Sequence, residues 1–176
     1  MFFSLLRRYS LKLTFALTLL IGLQLPHFLS LYEVRLDAHY LESRSQLQQY
    51  QKLADLLFDG DLNSLVEKHK NSDVVLFKSE TEIIKKLMHR AEFLQMQKHS
   101  LQGSLLQNFI FLFSQINQPL FIETQQNYQA NIVLNKESII VGLSIATLAT
   151  LLLDILFILL GLLLKKSNFR PSREIN

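Results

Sequence analysis

Two long apolar segments, one near each end of the chain, constrain the fold more than any other feature of the sequence. The first covers residues 11–31 and the second covers residues 138–164. About 20 apolar residues suffice for a helix to cross the hydrocarbon core of a bilayer. We therefore predict two transmembrane helices. Hydrophobic residues reach 49% and charged residues only 19%, a composition that excludes a disordered chain and is unusual for a soluble globule.

Basic residues flank both apolar segments and predict their orientation. The intervening residues 32–137 hold 11 Lys/Arg and 13 Asp/Glu, so this middle region is slightly acidic. The positive-inside rule then places both termini, 1–10 and 165–176, in the cytoplasm. The middle region would lie outside a bacterial inner membrane, in the periplasm. The flanking basic residues are Arg7, Arg8, Lys12, Lys165 and Lys166.

A cleaved signal peptide is the alternative for the first apolar segment. Signal peptides end in small residues at the cleavage site, whereas residues 25–29 are mostly bulky. Arg7-Arg8 superficially resembles a twin-arginine export signal, but nothing in the sequence implies a cofactor that must be exported with the protein. An uncleaved anchor is therefore the favoured interpretation. Pro26 is expected to kink or end the first crossing.

Helical periodicity dominates the middle region. Apolar residues at alternating spacings of three and four predict helices at about 33–58 and 79–116, with a short helix at 62–70 between them. Gly60 and Asp61 are typical of a helix end and a new helix cap, and Ser79 with Glu82 is typical of a capping box. The two predicted seams are Leu36, Tyr40, Ser43, Leu47, Tyr50, Ala54 and Leu57, and Ile84, Leu87, Ala91, Leu94, Lys98, Leu101, Leu105 and Leu112.

These patterns predict an all-α membrane protein in which two transmembrane helices flank an outward-facing antiparallel helical hairpin with coiled-coil-like seams. The second long helix would overshoot the first on its return to the membrane. Its overshooting run, Phe109–Phe113, is too short to span a bilayer. It could lie in the headgroup region, pack against the first membrane helix, or belong to the hairpin core. Asn135 is expected to cap the second crossing helix.

Asp154 is an unusual residue because it is an acid within a predicted transmembrane helix, which is a costly position for a carboxylate. One interpretation is a proton or ion relay. The other is a polar contact that holds the two membrane helices together through Thr18 or Gln24, and it is favoured because two helices enclose no pathway. The candidate packing and intramembrane polar residues are Gln24, Gly142, Ala146, Thr150 and Asp154.

No residue pattern for catalysis is visible. The chain has no cysteine, which excludes disulfides, thiol catalysis and thiolate metal sites. His39-x-x-Glu42 and His89-x-x-Glu92 each place a His and a Glu one helical turn apart, but di-iron bundles use the reverse order. Solvated helix faces are favoured over metal binding. There is no nucleophile elbow, phosphate-binding loop or dinucleotide fingerprint. We expect no enzyme activity, no cofactor and no metal.

The charge distribution also limits the partners. Nucleic-acid binding needs a basic face in an aqueous domain, whereas the middle region is slightly acidic and the basic residues flank the membrane segments. Such tails suit anionic lipid headgroups. We expect membrane lipid as one partner, and a second copy of the chain or another envelope protein as a further one. No small-molecule substrate is indicated.

Short motifs along nearly the whole chain resemble a proteobacterial family known only as domain of unknown function 2937. The resemblance implies an inner-membrane protein with two spans and a helical outer region, and it implies no activity. The family tends to have a proline shortly before Asn135, where this chain has Ile132 and Val133. The matching motifs are Gly22-Leu23-Gln24-Leu25-Pro26-x-Phe28, Tyr32, Asp37-Ala38-His39, Gly60-Asp61-Leu62-x-x-Leu65-Val66-x-x-His69, Ser72-Asp73-Val74-Val75-x-Phe77, Leu101-Gln102-Gly103, Glu123-Thr124-x-x-x-Tyr128, Val133-Leu134-Asn135, Gly142 and Asp154.

Two functions are compatible with the sequence. The first is a non-enzymatic scaffold or accessory subunit of the bacterial envelope that acts through its outer hairpin and its membrane helices. The second is a small subunit of a transport or proton-coupled membrane complex that uses Asp154. A membrane-anchored hydrolase or metal enzyme is a third and less supported hypothesis.

Overall fold

A computed structural model describes residues 2–131 and 135–167, and all regular structure in these ranges is helical. The predicted all-α class is confirmed. Two of the helices, α1 and α6, are long and apolar enough to cross a membrane by length and composition. The chain divides into unit 1, which combines Met1–Phe28 and Gln129–Asn176, and unit 2, which is Leu29–Tyr128. The helices are α1 (Phe2–Leu57), α2 (Leu62–Lys70), α3 (Val75–Ser100), α4 (Leu105–Ser114), α5 (Pro119–Gln126) and α6 (Lys136–Ser167).

The first apolar segment and the first helix of the middle region form one continuous helix. The sequence predicts separate helices at 11–31 and 33–58, whereas α1 runs from Phe2 to Leu57. Pro26 lies inside α1 and does not end it. A proline removes one backbone hydrogen bond from a helix, and here no glycine or turn motif follows it to stop the helix.

The turn after α1 has the predicted caps. Gly60 adopts a positive φ of 85°, a conformation that glycine reaches without steric cost. The Asp61 carboxylate accepts hydrogen bonds from the backbone N–H groups of Asn63 at 3.0 Å and Ser64 at 3.2 Å. Both groups would otherwise be unpaired in the first turn of α2. The prediction of a helix end and a new cap at Gly60-Asp61 is confirmed.

The predicted capping box at Ser79 is wrong. α3 begins at Val75, and the Ser79 hydroxyl donates to the backbone carbonyl of Leu76 at 2.7 Å. The Ser72 hydroxyl accepts the backbone N–H of Val74 at 3.2 Å in the preceding turn. This local bond orders the chain several residues before Ser79, so the helix starts earlier.

The predicted helix at 79–116 is also interrupted. α3 ends at Ser100 and α4 begins at Leu105. The Gln107 side-chain carbonyl accepts hydrogen bonds from the backbone N–H of Ser104 at 2.8 Å and from its hydroxyl at 3.0 Å. A Cβ atom on Gly103 would lie 2.7 Å from that same Gln107 oxygen. Gly103 therefore leaves space for the cap of a new helix. α5 follows with Pro119 in its first turn, where proline is well tolerated.

The predicted seams supply much of the core of unit 2. Leu36 and Ala54 of α1 and Ile84 of α3 are fully or almost fully buried. Leu57, the last residue of α1, is the one exposed seam residue, at 68%, and six other seam residues are half-buried. The buried seam residues are Leu36, Ser43, Ala54, Ile84, Ala91, Leu94, Leu101 and Leu112.

The second apolar segment lies within α6. The Asn135 side chain accepts the backbone N–H of Ser138 at 2.8 Å, so the predicted cap at Asn135 is confirmed. The motif residues 132–134 and the tail from residue 168 onward lie outside the described residues, as do the side chains of Lys165 and Lys166.

Candidate functional site

Within unit 1, α1 and α6 approach closely at Gly22 and Gly142. A Cβ atom added to Gly22 would lie 2.8 Å from the Cα of Gly142. A Cβ atom on Gly142 would lie 3.1 Å from the Leu23 side chain. Ser138 and Ala146, four residues to either side of Gly142, are fully buried. Small residues at this spacing allow two helix backbones to pack closely.

Arg7 and Asp154 form a two-point ion pair in unit 1. Arg7 Nε donates to Asp154 Oδ1 at 2.8 Å, and Arg7 Nη2 donates to Oδ2 at 2.9 Å. At about 1.5 Å per helical residue, Arg7 lies about 22 Å from Gly22 along α1, and Asp154 lies about 18 Å from Gly142 along α6. The long arginine side chain bridges the small difference. The glycine crossing and the ion pair therefore join the same two helices at two separate points.

The partner of Asp154 thus differs from the Thr18 or Gln24 that the sequence predicts. The Thr18 hydroxyl donates to the Thr14 carbonyl at 2.6 Å within α1. Gln24 is half-buried in α1. The sequence predicts Arg7 only as a residue that flanks the first apolar segment, and no sequence signal identifies it as the partner of Asp154.

The ion pair bears on the two interpretations of Asp154. Both carboxylate oxygens accept hydrogen bonds from one guanidinium, an arrangement that stabilises the ionised acid. Thr150, one turn earlier in α6, donates its hydroxyl to the Ala146 carbonyl at 2.7 Å. Thr150 and Asp154 are thus engaged in a local bond and in the ion pair, respectively. This geometry favours the helix-joining interpretation of Asp154 over a relay.

A second polar cluster lies in unit 2 and is called here the Glu123 cluster; it comprises Arg35, His39, Arg90 and Glu123. Glu123 Oε1 accepts from Arg35 Nη1 at 2.8 Å, and Glu123 Oε2 lies 3.0 Å from His39 Nε2. Arg90 Nη2 lies 3.1 Å from His39 Nδ1. The cluster therefore connects α1, α3 and α5, and its residues His39, Arg90 and Glu123 line a cleft of about 360 Å³.

The geometry of the Glu123 cluster selects one tautomer of His39. Arginine can only donate hydrogen bonds, so His39 Nδ1 accepts from Arg90. His39 Nε2 then carries the hydrogen and donates it to Glu123. Glu42 Oε2 is 3.7 Å from His39 Nδ1, which is beyond hydrogen-bond distance. The His39 imidazole thus joins a cation on α3 to an anion on α5.

The Glu123 cluster predicts an acid-sensitive contribution to stability. The hydrogen bond from His39, followed by the hydrogen bond and charge of Arg35, lowers the pKa of the Glu123 carboxyl below its ordinary value. A carboxyl with a lowered folded-state pKa stabilises the fold above its unfolded-state pKa, and this contribution is lost as the pH falls through the folded-state pKa. We expect Glu123→Gln to lower the melting temperature at neutral pH and to flatten its decline in acid.

The measurement is the melting temperature of the detergent-solubilised full chain across an acidic pH series. Glu92→Gln is the matched control, because Glu92 is exposed on α3. If Glu123→Gln and Glu92→Gln gave the same pH profile as the unsubstituted protein, the Glu123 cluster would not stabilise the fold.

The two predicted His–Glu motifs do not assemble a metal site in the described ranges. Among residues 2–131 and 135–167, no group of three or more His, Cys, Asp or Glu side chains is placed to hold a metal ion. His39 contacts Glu123 instead of forming a close pair with Glu42, and His89 and Glu92 are both exposed. His69 Nε2 lies 3.4 Å from Glu80 as a separate pair.

The structure defines an all-helical protein with two helices that could cross a membrane by length and composition, joined by a glycine crossing and an ion pair. The chain belongs to the family described as "Protein of unknown function (DUF2937)", whose model matches residues 6–166. This match confirms the family that the sequence motifs resemble. No curated protein and no solved structure is significantly similar to the chain.

Proposed function

We propose that this protein is a non-enzymatic accessory subunit of the bacterial envelope, anchored in the inner membrane by α1 and α6. Both termini would be cytoplasmic, as the flanking basic residues suggest. Unit 2 would lie in the periplasm and present a binding surface to another envelope protein. The glycine crossing and the Arg7–Asp154 pair would hold the two membrane helices together.

Contacts within unit 2 support an antiparallel hairpin of α1 and α3. Tyr32, near the start of unit 2, hydrogen-bonds Gln97, near the end of α3, with 3.1 Å between Oη and Oε1. Farther along α1, His39 contacts Arg90, which is earlier in α3. Residue numbers thus rise on α1 as they fall on α3. In this arrangement α3 would return toward the membrane.

The observation that carries the proposal is an exposed apolar surface where α1 ends and α3 begins, called here the distal patch. Leu56 is 79% exposed and Val75 is 80% exposed. Contiguous exposed apolar surface on a protein is typical of an interaction site. The patch borders a cleft of about 610 Å³ that is lined by Leu53, Leu57 and Phe77, among others. The distal patch comprises Leu53, Leu56, Leu57, Val74, Val75, Leu76 and Phe77.

Site-specific photocrosslinking in living cells tests the proposal. A photoreactive residue at Leu56 or at Val75 is expected to capture one and the same foreign envelope protein. Gln49 is the control, because it is exposed and lies two turns before Leu56 on the same side of α1. The same probe at Gln49 should not capture that protein. Leu56→Glu should abolish the crosslink from Val75.

Crosslinks from Leu56 and Val75 only to other copies of this chain would contradict an accessory role and indicate a self-contained homo-oligomer. If the Gln49 probe captured the same proteins in the same yield, the distal patch would not be the surface that binds them.

A further inference from the structure

The short helix α4 is apolar on two opposite sides. Its inner side buries Leu112, which is 1% exposed. Its outer side presents Leu106, Ile110 and Phe113, which are 70%, 64% and 48% exposed. These three residues are spaced by four and three positions, so they share one face of the helix. We call this the α4 outer face. A group of exposed apolar residues on one surface marks a contact with a protein partner or with a membrane.

No ionisable side chain lies near the α4 outer face in the sequence. From Ser100 to Ile122 the chain contains no Asp, Glu, Lys, Arg or His. A protein-binding surface usually has a polar and charged rim around its apolar centre. An uncharged apolar surface is instead suited to contact with lipid acyl chains, where a charge would be costly.

Hydrogen bonds fix α4 at the end of unit 2 where α1 enters it. Tyr32 Oη bonds to Gln97 Oε1, and Gln97 Nε2 donates to Gln115 Oε1 at 3.4 Å, just after α4 ends. Asn108 Nδ2 donates to the Leu101 carbonyl at 2.7 Å. Tyr32 directly follows the apolar segment 11–31. α4 is therefore held beside the part of α1 that directly follows the apolar segment.

We propose that α4 is an interfacial membrane helix whose outer face contacts the lipid of the periplasmic leaflet. The proposal rests on the membrane anchorage described under Proposed function, and it adds a third membrane contact to the two spans. Interfacial helices lie in the membrane plane with their apolar face buried about 5–10 Å into the boundary between headgroups and acyl chains. The position of α4 near Tyr32 and the absence of ionisable residues from the segment 100–122 both favour lipid over a second protein as the occupant.

Single-tryptophan fluorescence tests the proposal without background, because the chain contains no tryptophan. The full chain with Ile110→Trp, or with Phe113→Trp, is reconstituted in two sets of phosphatidylcholine vesicles, whose acyl chains are brominated either near the headgroup or near the bilayer centre. Leu56→Trp is the control for an exposed apolar site at the other end of unit 2, and Leu151→Trp reports insertion of α6. Both control sites are more than half exposed, at 79% and 56%.

We expect Ile110→Trp and Phe113→Trp to emit at shorter wavelength and to lose emission in brominated vesicles, as Leu151→Trp does. Leu56→Trp should keep its emission. If Leu151→Trp is quenched while both α4 reporters behave like Leu56→Trp, α4 does not contact lipid and the proposal is overturned. A shift to shorter wavelength without quenching also overturns it, because protein would then cover the α4 outer face. Absence of quenching at Leu151→Trp would instead contradict the membrane anchorage itself.

Discussion

Exchanging the charges of Arg7 and Asp154 is expected to restore a protein that either single reversal destabilises. Arg7→Asp places two carboxylates opposite one another, and Asp154→Arg places two guanidinium groups there. Each like-charged pair would lie in or near the hydrocarbon, where repulsion is weakly screened and isolated charge is costly. The double variant re-forms an ion pair with reversed polarity, so its stability should recover most of the loss.

The measurements are the amount of full-length protein in the membrane and its melting temperature in detergent. Arg8→Asp is the matched control, because it makes the same change in flanking charge at the adjacent, exposed position. It should have little effect beyond any change in membrane orientation. If the double variant is no more stable than the two single variants, Arg7 and Asp154 do not interact in the folded protein.

A second set of variants, in which the charges are removed instead of reversed, distinguishes a helix-joining ion pair from a proton relay at Asp154. Asp154→Asn leaves the Arg7 guanidinium without a counter-charge, and Arg7→Gln/Asp154→Asn removes both charges together. Removing one partner of a buried ion pair usually destabilises a protein more than replacing both partners, because the remaining charge is left unpaired. For a helix-joining pair, the neutral double variant should therefore be more stable than Asp154→Asn and retain function. A relay would instead lose function in every variant that lacks the Asp154 carboxylate, even where the fold is normal.

The sequence predicts the helical class and half of the buried positions in unit 2, because heptad spacing records one face of a helix over many turns. Leu36 and Ile84 are examples, and both are buried. The break between α3 and α4 is missed because the seam spacing continues from Leu101 to Leu105 across the turn. The local signal, Gly103 followed by Ser104 and Gln107, interrupts the helix without interrupting the apolar pattern.

The polar contacts between helices are predicted less well. The pairing of Arg7 with Asp154 depends on how α1 and α6 are aligned along their axes. The residue spacing within one helix contains no information about this alignment. The contact of His39 with Glu123 depends on α5, which the polar composition from Glu123 onward does not suggest. Residue type indicates that Asp154 needs a partner, but only the packing of α1 against α6 identifies it.

Replacing Gly22 with leucine is expected to weaken the packing of α1 against α6. Even one methyl carbon at Gly22 would meet the Gly142 backbone at 2.8 Å. The backbone of a helix cannot move aside as a flexible side chain can, so the two helices must separate. Overpacking of a close contact typically costs about 1–3 kcal/mol. Leucine should cost more than alanine, because the loss grows with the separation that each side chain requires.

The melting temperature of the full chain in detergent measures this effect, and Ala16→Leu is the matched control. Ala16 is also a small residue in the apolar part of α1, but it is exposed. We expect the melting temperature to fall in the order Ala16→Leu, Gly22→Ala, Gly22→Leu. If Gly22→Leu were as stable as Ala16→Leu, the helices would not pack at Gly22. The Arg7–Asp154 pair would then have to hold α1 and α6 together without the support of close backbone packing.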